Sequence, residues 1–513
     1  MNRTFLIILL ISSVLLSCKT NQKTSEIQKW GLFEIVLTGS DEGNPYMDVL
    51  LEAVFQTNDK QITVPGFYDG NGIYRIRFSP ETEGEWTYET KSNVPELNGK
   101  KGNFNCIPAT GENHGPLKIV NTFYLEYADG TPFYSVGTTA YQWTSVKQSI
   151  QEQTIATLKE TPFNKIRMCV FPKSYRYGND VEPWTYPYKR EGEQNDFTKP
   201  NYDFFQNFDN RVQQLLDLGI QADVILFHPY DKWDYCEMGD ELNKRYVRYM
   251  IARISAYRNV WWSLANEWDV PKIKETIDWE AIGTLLQNED PHQRFRGIHN
   301  WYDTEDHFYN HSRPWITHAS IQSAQFFNAI KWRNQYQKPL LLDEMRYEGD
   351  VPSGWGNLSA EEMTSYFWMA GLSGGYATHG ETLKNDSDTS EVRWWAKGGT
   401  LMGESPERIL FFKSIMETAP VKEMIPELQE SGNPQILNNN VYLFSKPEEF
   451  YLAYVANKNE TINVKLQGEK NYDLEIIDTW NMIVLDKKSI NPGSFQYTTS
   501  IPFTALKIYR NNE

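Results

Sequence analysis

A chain of 513 residues is too long for one ordinary core and is expected to divide into two or three domains. The formal net charge of −17 argues against a nucleic-acid partner, because such surfaces gather Lys and Arg to meet phosphate. It argues only weakly against a polyanionic substrate, which a local basic pocket could still accept.

The first element in chain order is a targeting segment. Arg3 supplies a positive start, and residues 5–16 form an apolar run too short to span a bilayer well. The run ends Leu15-Leu16-Ser17-Cys18, which resembles a bacterial lipobox. That resemblance implies a lipoprotein signal peptide over residues 1–18, cleavage before Cys18 and lipidation of its thiol. The alternative is an ordinary signal peptide with a chance cysteine. Residues 19–27 are polar and aperiodic, as expected of a tether. The implied location is the bacterial cell envelope, with the membrane reached by the lipid anchor only; the sequence leaves the periplasmic face and the outer surface both open. Cys106, Cys169 and Cys236 have no Cys-x-x-Cys or metal-type spacing. Cys169 and Cys236 could pair, but two buried free thiols are the first expectation.

Residues 28–110 read as short alternating strands, among them 33–37, 49–55 and 74–78, separated by turn clusters such as Asp69-Gly70-Asn71-Gly72. This spacing predicts an N-terminal Ig-like β-sandwich. From residue 115 to 420 the pattern becomes apolar strands alternating with amphipathic helices, the signature of βα units around a parallel sheet. Strands are expected at 133–137, 164–170, 223–227, 261–265, 295–299, 315–318, 340–344 and 375–380, as many as a closed (β/α)8 TIM barrel requires. Phe205, Phe208, Val212, Leu215 and Leu216 recur at helical spacing before a stop at Gly219. Ser359-Ala360-Glu361-Glu362 reads as a capping box opening another helix. The period returns to two over 433–511, which predicts a C-terminal β-sandwich.

Two barrel strands end on glutamate. Trp261-Trp262-Ser263-Leu264-Ala265-Asn266-Glu267 closes the fourth and Leu340-Leu341-Leu342-Asp343-Glu344 the seventh. Strand ends at the C-terminal face of a barrel form its active site, and a carboxyl pair there is the equipment for glycosidic bond hydrolysis. A solvated or ion-paired glutamate is the rival reading of either motif alone; both together, in this strand order, weaken it. Asp343 and Glu348 stand near enough to compete with Glu344, and strand alternation is expected to turn Asp343 away from the face that Glu344 occupies.

Asn266-Glu267 after the fourth strand, Glu344 after the seventh and Arg167 at the end of the second resemble the retaining glycoside hydrolases of clan A. The resemblance implies Glu267 as acid/base, Glu344 as nucleophile, Asn266 as a donor to the sugar 2-hydroxyl, and Arg167 as the cation keeping Glu344 ionised. In layout the chain resembles bacterial polysaccharide-utilisation lipoproteins whose third module is of a collagen-binding-like type, although nothing in 433–511 looks like a collagen site. The function implied is double-displacement hydrolysis of a polysaccharide or its oligosaccharides, with no cofactor; the other class is a non-catalytic glycan-binding surface lipoprotein on the same scaffold. His228, His299, His318 and His379, at or near the ends of strands three, five, six and eight, are expected to bind sugar hydroxyls or orient carboxylates. A metal site is not supported, since no two of them share a helix at ligand spacing. Trp268, Trp301 and Tyr302 are stacking candidates in the βα loops, as are Trp143, Trp233, Trp355, Trp394, Trp395 and Tyr376, with loop packing the rival for each.

Overall fold

The computed structural model describes residues 25–58, 60–174, 182–385, 391–392, 394–430 and 440–511. The expected signal segment, Cys18 and most of the tether lie outside these residues. The tether is shorter than expected: Ser25–Gln28 is a strand, paired in parallel with Lys101–Ile107. Among the described residues, no helix is long and apolar enough to cross a membrane.

The N-terminal module is one seven-stranded sheet folded over on itself. Its Lys60–Tyr68 strand pairs with Leu51–Thr57 through residues 60–65 and with Ile73–Phe78 through residues 66–68. The switch falls at Gly66, where a Cβ would lie 2.7 Å from the Leu51 side chain, so only glycine fits this corner. Leu51, Ala53 and Phe55 turn inward by the period-two rule, and so do Tyr74, Ile76 and Phe78. The interior is aromatic, with Phe33 stacked on Phe104 at 4.1 Å and Phe55 on Phe78 at 4.3 Å.

The central module holds eight parallel strands: β1 (Val136–Thr139), β2 (Lys165–Cys169), β3 (Gln221–Phe227), β4 (Val260–Ala265), β5 (Arg296–Gly297), β6 (Ala319–Gln322), β7 (Leu340–Glu344) and β8 (Tyr376–His379). They pair in chain order, with β8 beside β1. The end strands β5 and β6 approach through the Thr317 N–H bond to the Arg296 carbonyl at 2.9 Å, so the sheet is barrel-like. The Tyr202–Asp217 helix buries Phe205, Phe208, Val212 and Leu215 and stops before Gly219, whose φ is +71°. Ala360–Leu372 opens on a complete capping box: Ser359 Oγ accepts from Glu362 N–H at 3.2 Å, and Glu362 Oε2 from Ser359 N–H at 2.9 Å.

The sixth strand is displaced from the expected 315–318 to Ala319–Gln322. Trp315 and Ile316 are buried, but in a turn closed by the Ile316 N–H bond to the Arg313 carbonyl. The indole packs against the Trp279–Glu289 helix at Gly283, where a Cβ would meet it at 2.4 Å. Burial alone does not separate a strand from a packed turn, and His318 therefore stands before β6, not at its C-terminal end.

The C-terminal sheet begins at Ile425–Glu430, earlier than the expected 433. Among the described residues it has six strands, with a separate antiparallel pair, Thr461–Leu466 and Gly493–Thr498. It shares a core with the barrel: Trp368 stacks on Tyr454 at 5.4 Å, and the Tyr454 hydroxyl donates to Ser365 Oγ at 2.7 Å. Cys106, Cys169 and Cys236 are all buried free thiols.

The N-terminal module is latched to the barrel by a buried ion cluster. Asp209 of the Tyr202–Asp217 helix pairs with Arg77 at 2.7 Å and Arg253 at 2.9 Å, and Arg253 also pairs with Asp69 at 2.8 Å. Asp209→Ala removes the carboxylate that two buried guanidinium groups share, leaving Arg77 with Glu34 and Arg253 with Asp69, and is expected to destabilise the protein by about 3 kcal/mol, read as a lower Tm in a thermal melt.

Candidate active site

The chemistry of the barrel interior starts on β2. Lys165 and Arg167, two residues apart, point the same way into the barrel. Lys165 Nζ pairs with Asp343 at 2.5 Å and Asp223 at 3.0 Å. Arg167 lies one layer nearer the mouth, 3.6 Å from both Asp223 Oδ2 and Glu344 Oε1, and it donates to Asn266 Oδ1 at 3.2 Å and to the Tyr141 hydroxyl at 3.3 Å. Asp343 is therefore not turned away. The β6–β7 register runs Ile321 opposite Leu342 and Gln322 opposite Glu344, which makes Asp343 the extra residue of a bulge. The bulge breaks strict alternation and lets consecutive carboxylates face the interior, Asp343 below and Glu344 at the mouth.

Glu344 and Glu267 line one cleft of about 400 Å³. Glu267 holds a left-handed backbone, φ +61°, at the turn after β4, a conformation that costs a non-glycine residue free energy and is concentrated at functional sites. Its Oε2 has no hydrogen-bond partner. Burial raises the Glu267 carboxyl most, the negative charges of Glu344 and Asp269 add to this, and Lys173 with a hydrogen bond to Tyr230 opposes it; the carboxyl is pushed up to about 8. Glu344 is treated oppositely. Burial alone would raise it, but His299 at 3.5 Å, Arg167 and Lys173 outweigh burial and hold it at about 2. The His299 imidazole is itself pushed toward the neutral form by burial and by Arg167. The direction at Glu344 therefore rests on the two fixed cations and on the hydroxyls of Tyr141 and Tyr347, which each donate to one of its oxygens. One carboxyl protonated and its neighbour ionised near neutral pH is the division of labour that glycosyl transfer to a carboxylate needs.

The cleft wall is aromatic. Trp301 and Tyr302 are presented after β5, Trp355 after β7 and Trp395 after β8. The first two are held from behind: Asp269 accepts from Trp301 N–H at 2.5 Å and Tyr302 N–H at 3.3 Å, and Gln322 Nε2 donates to the Trp301 carbonyl at 2.7 Å. The Tyr347 N–H donates to the Trp355 carbonyl at 2.8 Å, coupling that indole to a residue on the cleft floor. Lys173 Nζ stands over the rings of Tyr141 at 3.8 Å and Tyr230 at 4.6 Å.

The structure brings Glu267, Glu344, Trp301, Tyr302, Trp355 and Trp395 into the cleft, with Arg167, Asn266 and His299 directly behind. The Asn266 Nδ2 amide is buried without a partner, which leaves it able to donate to a ligand. The other expected residues stand elsewhere. His228 is buried with Nε2 on the Phe171 carbonyl at 3.1 Å, His318 packs against Trp261 beneath β6, and His379 is stacked on Phe163 behind β8. Trp268 packs edge-on against Tyr309, Trp394 donates to Thr138 Oγ1, and the buried Tyr376 hydroxyl accepts from Leu125 N–H at 3.0 Å. Tyr141, Lys173, Tyr230 and Tyr347 were not expected. Their one sequence signal is position, since each lies within four residues of a barrel-strand end.

Tyr347→Phe keeps the ring and removes one charge-assisted donor. The Glu344 carboxyl is expected to titrate about 1 unit higher, as followed by 13C NMR; an unchanged titration would rule out this hydroxyl as a determinant.

Comparison with known proteins agrees with this fold. Residues 120–383 match the Apiosidase-like catalytic domain, residues 26–93 the domain of unknown function DUF5060, and residues 440–509 the domain of unknown function DUF5605. No curated protein sequence matches the chain. A crystal structure of a candidate glycoside hydrolase from Bacteroides vulgatus ATCC 8482 is 35% identical, with a TM-score of 0.84 over 95% of this chain and 100% of that one. A second structure, described as a glycoside hydrolase, is 15% identical over 78% of this chain and 98% of its own, with a TM-score of 0.62. A family 5 glycoside hydrolase from Bacteroides vulgatus ATCC 8482 is 12% identical over 78% and 95%, with a TM-score of 0.59. These last two share the fold. The first relative and the catalytic-domain match carry the assignment: this chain belongs to the Apiosidase-like catalytic-domain family.

Proposed function

We propose that the chain is a retaining glycoside hydrolase acting on a polysaccharide or on oligosaccharides derived from it. The observation that carries this reading is the opposite surroundings of two glutamates in one cleft: Arg167 and the hydroxyls of Tyr141 and Tyr347 favour the carboxylate of Glu344, whereas burial beside Asp269 and Glu344 favours the acid form of Glu267. In the first step Glu344 attacks the anomeric carbon while Glu267 transfers its proton to the departing glycosidic oxygen, so the C–O bond breaks as the glycosyl ester forms. In the second step Glu267, now a carboxylate, takes a proton from water, which attacks the same carbon and releases Glu344. Asn266 Nδ2 donates to the sugar 2-hydroxyl, and the indoles of Trp301, Trp355 and Trp395 stack on sugar faces. The family name directs the substrate panel first to apiosides. The lipobox completes the proposal, with the enzyme anchored through Cys18 in the cell envelope.

Hydrolysis of aryl glycosides and polysaccharides by wild type, Glu344→Ala and Glu267→Ala tests the roles. Glu344→Ala is expected to lose turnover and regain it with azide, giving the glycosyl azide of inverted configuration. Glu267→Ala is expected to lose about 10²–10⁴-fold on poor leaving groups and much less on activated aryl glycosides. A wild type inert across the panel that binds its glycans equally in both variants would favour the non-catalytic reading.

The pH profile follows from the same carboxyls. Glu344 is ionised above about 2 and Glu267 protonated below about 8, so kcat/KM is expected to hold through the weakly acidic and neutral range and to fall as pH rises through about 8. A profile whose basic limb survives in Glu267→Gln would assign that limb to another group.

A further inference from the structure

Behind the cleft wall at Val351, Gly356 and Thr382 lies a second polar cluster that the chemistry above does not use. Glu348 follows β7, His379 ends β8, and Glu381 stands two residues further on. One ligand atom from each can be chosen so that all lie within 4.8 Å of one another. The three side chains are almost completely buried, at 4%, 0% and 2% exposure.

His379 Nε2 has no hydrogen-bond partner and faces Glu348 Oε2 at 3.8 Å. Its other nitrogen, Nδ1, is 3.3 Å from Thr138 Oγ1, which also accepts from Trp394 Nε1 at 2.8 Å. In the tautomer that carries its proton on Nδ1, the Thr138 oxygen accepts from both with its two lone pairs, and Nε2 then presents a lone pair to the carboxylates, the form a cation would select. The carboxylates are oriented by backbone donors. Glu348 accepts from Glu404 N–H at 2.9 Å and from Ser405, and Glu381 accepts from Met402 N–H at 3.0 Å and Gly403 N–H at 2.7 Å.

These donors bring no formal charge. Among the described residues, His379 is the one ion-pair partner of Glu348, and Glu381 has none. Two carboxylates buried without a cation are expensive to hold ionised, and an imidazole lone pair turned on them adds to the imbalance. A dication removes it, using the lone pairs that the backbone donors leave over.

We propose that Glu348, His379 and Glu381 bind a divalent transition-metal cation of the zinc or manganese class. A mixed imidazole and carboxylate set suits these ions, whereas magnesium and calcium take all-oxygen shells. The site ties the segment after β7, with Tyr347 and Trp355, to the segment after β8 and to the start of the Ser405–Thr418 helix. Its role is to fix the cleft wall, and it stands whether or not the hydrolase reading does.

The test uses tag-free, full-length protein stripped by chelator and titrated with ZnCl2, MnCl2 or CaCl2 alone, with calorimetry for affinity and elemental analysis for stoichiometry. One tight equivalent of zinc or manganese per chain is expected, with weaker calcium binding and a rise in Tm of a few degrees. His379→Gln and Glu381→Gln are each expected to lose that equivalent. Glu381→Gln retains an amide oxygen for the Met402 and Gly403 N–H groups and removes one buried negative charge. Its metal-free Tm is therefore expected to equal or exceed that of stripped wild type, which separates loss of metal from loss of fold. Wild type that binds no equivalent, or an equivalent that persists in both variants, would overturn the site.

Discussion

The barrel is organised around buried cations that cannot be left alone. Lys165 and Arg167 sit on one strand with almost no exposure, and such charges are tolerable only when paired and hydrogen-bonded. Asp223 and Asp343 satisfy the lower one, while Asp223, Glu344, Asn266 Oδ1 and Tyr141 surround the upper. The result is a column of alternating charge from the barrel interior to its mouth. Glu344 is the top of that column, and its low pKa follows from the stack beneath it. Ser320 and Thr378 hydroxyls donate to Asp343 from β6 and β8, and Asp223 joins from β3, so five strands are tied to the Lys165–Asp343 pair. A shift of β2, β3 or β7 by one residue would leave a buried charge unpaired, which makes the column a determinant of register as well as of chemistry.

Above the column, the two glutamates are differentiated by what stands near each. Glu344 has Arg167 and two tyrosine hydroxyls in contact, whereas Glu267 shares its surroundings with Asp269 and with Glu344 itself. Asp269 has a second task, since it holds the backbone that presents Trp301 and Tyr302. A single buried carboxylate thus couples the aromatic wall to the electrostatics of the acid/base candidate. The flanking modules act at a distance by bracing helices: the Arg77–Asp209–Arg253 cluster on one side and the Trp368–Tyr454 stack on the other. The proposed cation at Glu348, His379 and Glu381 would do for the wall after β7 and β8 what Asp269 does for the wall after β5.

Much of this was legible in the chain. The change of hydrophobic period from two to helical and back marks the three modules, because pleat and helix impose those periods on any half-buried segment. The Ser359 capping box and the Gly219 stop are local chemistry, readable within four residues. Glu267 and Glu344 stand out because two apolar strands end on glutamate in this strand order; either alone would read equally well as a solvated or ion-paired residue. The places where the reading slipped are those where local pattern is ambiguous. Trp315-Ile316 is as apolar as a strand but packs as a turn, and Asp343 alternates on paper yet sits in a bulge that one strand alone does not reveal.

The sequence by itself determined the module order and the strand ends that carry Asn266, Glu267 and Glu344, while the place of Arg167 beside Glu344 came only through the family resemblance. Only the tertiary structure decided which remaining side chains share the cleft. Tyr141, Lys173, Tyr230 and Tyr347 come from four different segments, and His228, His318 and His379 leave the cleft although they lie close to strand ends. Periodicity fixes which face a residue takes within its own element, but the direction of a side chain past a strand end depends on the loop's path. That path is set by contacts with segments far away in the chain, as in the Tyr141 bond to Glu344, 203 residues apart, and no local pattern encodes them.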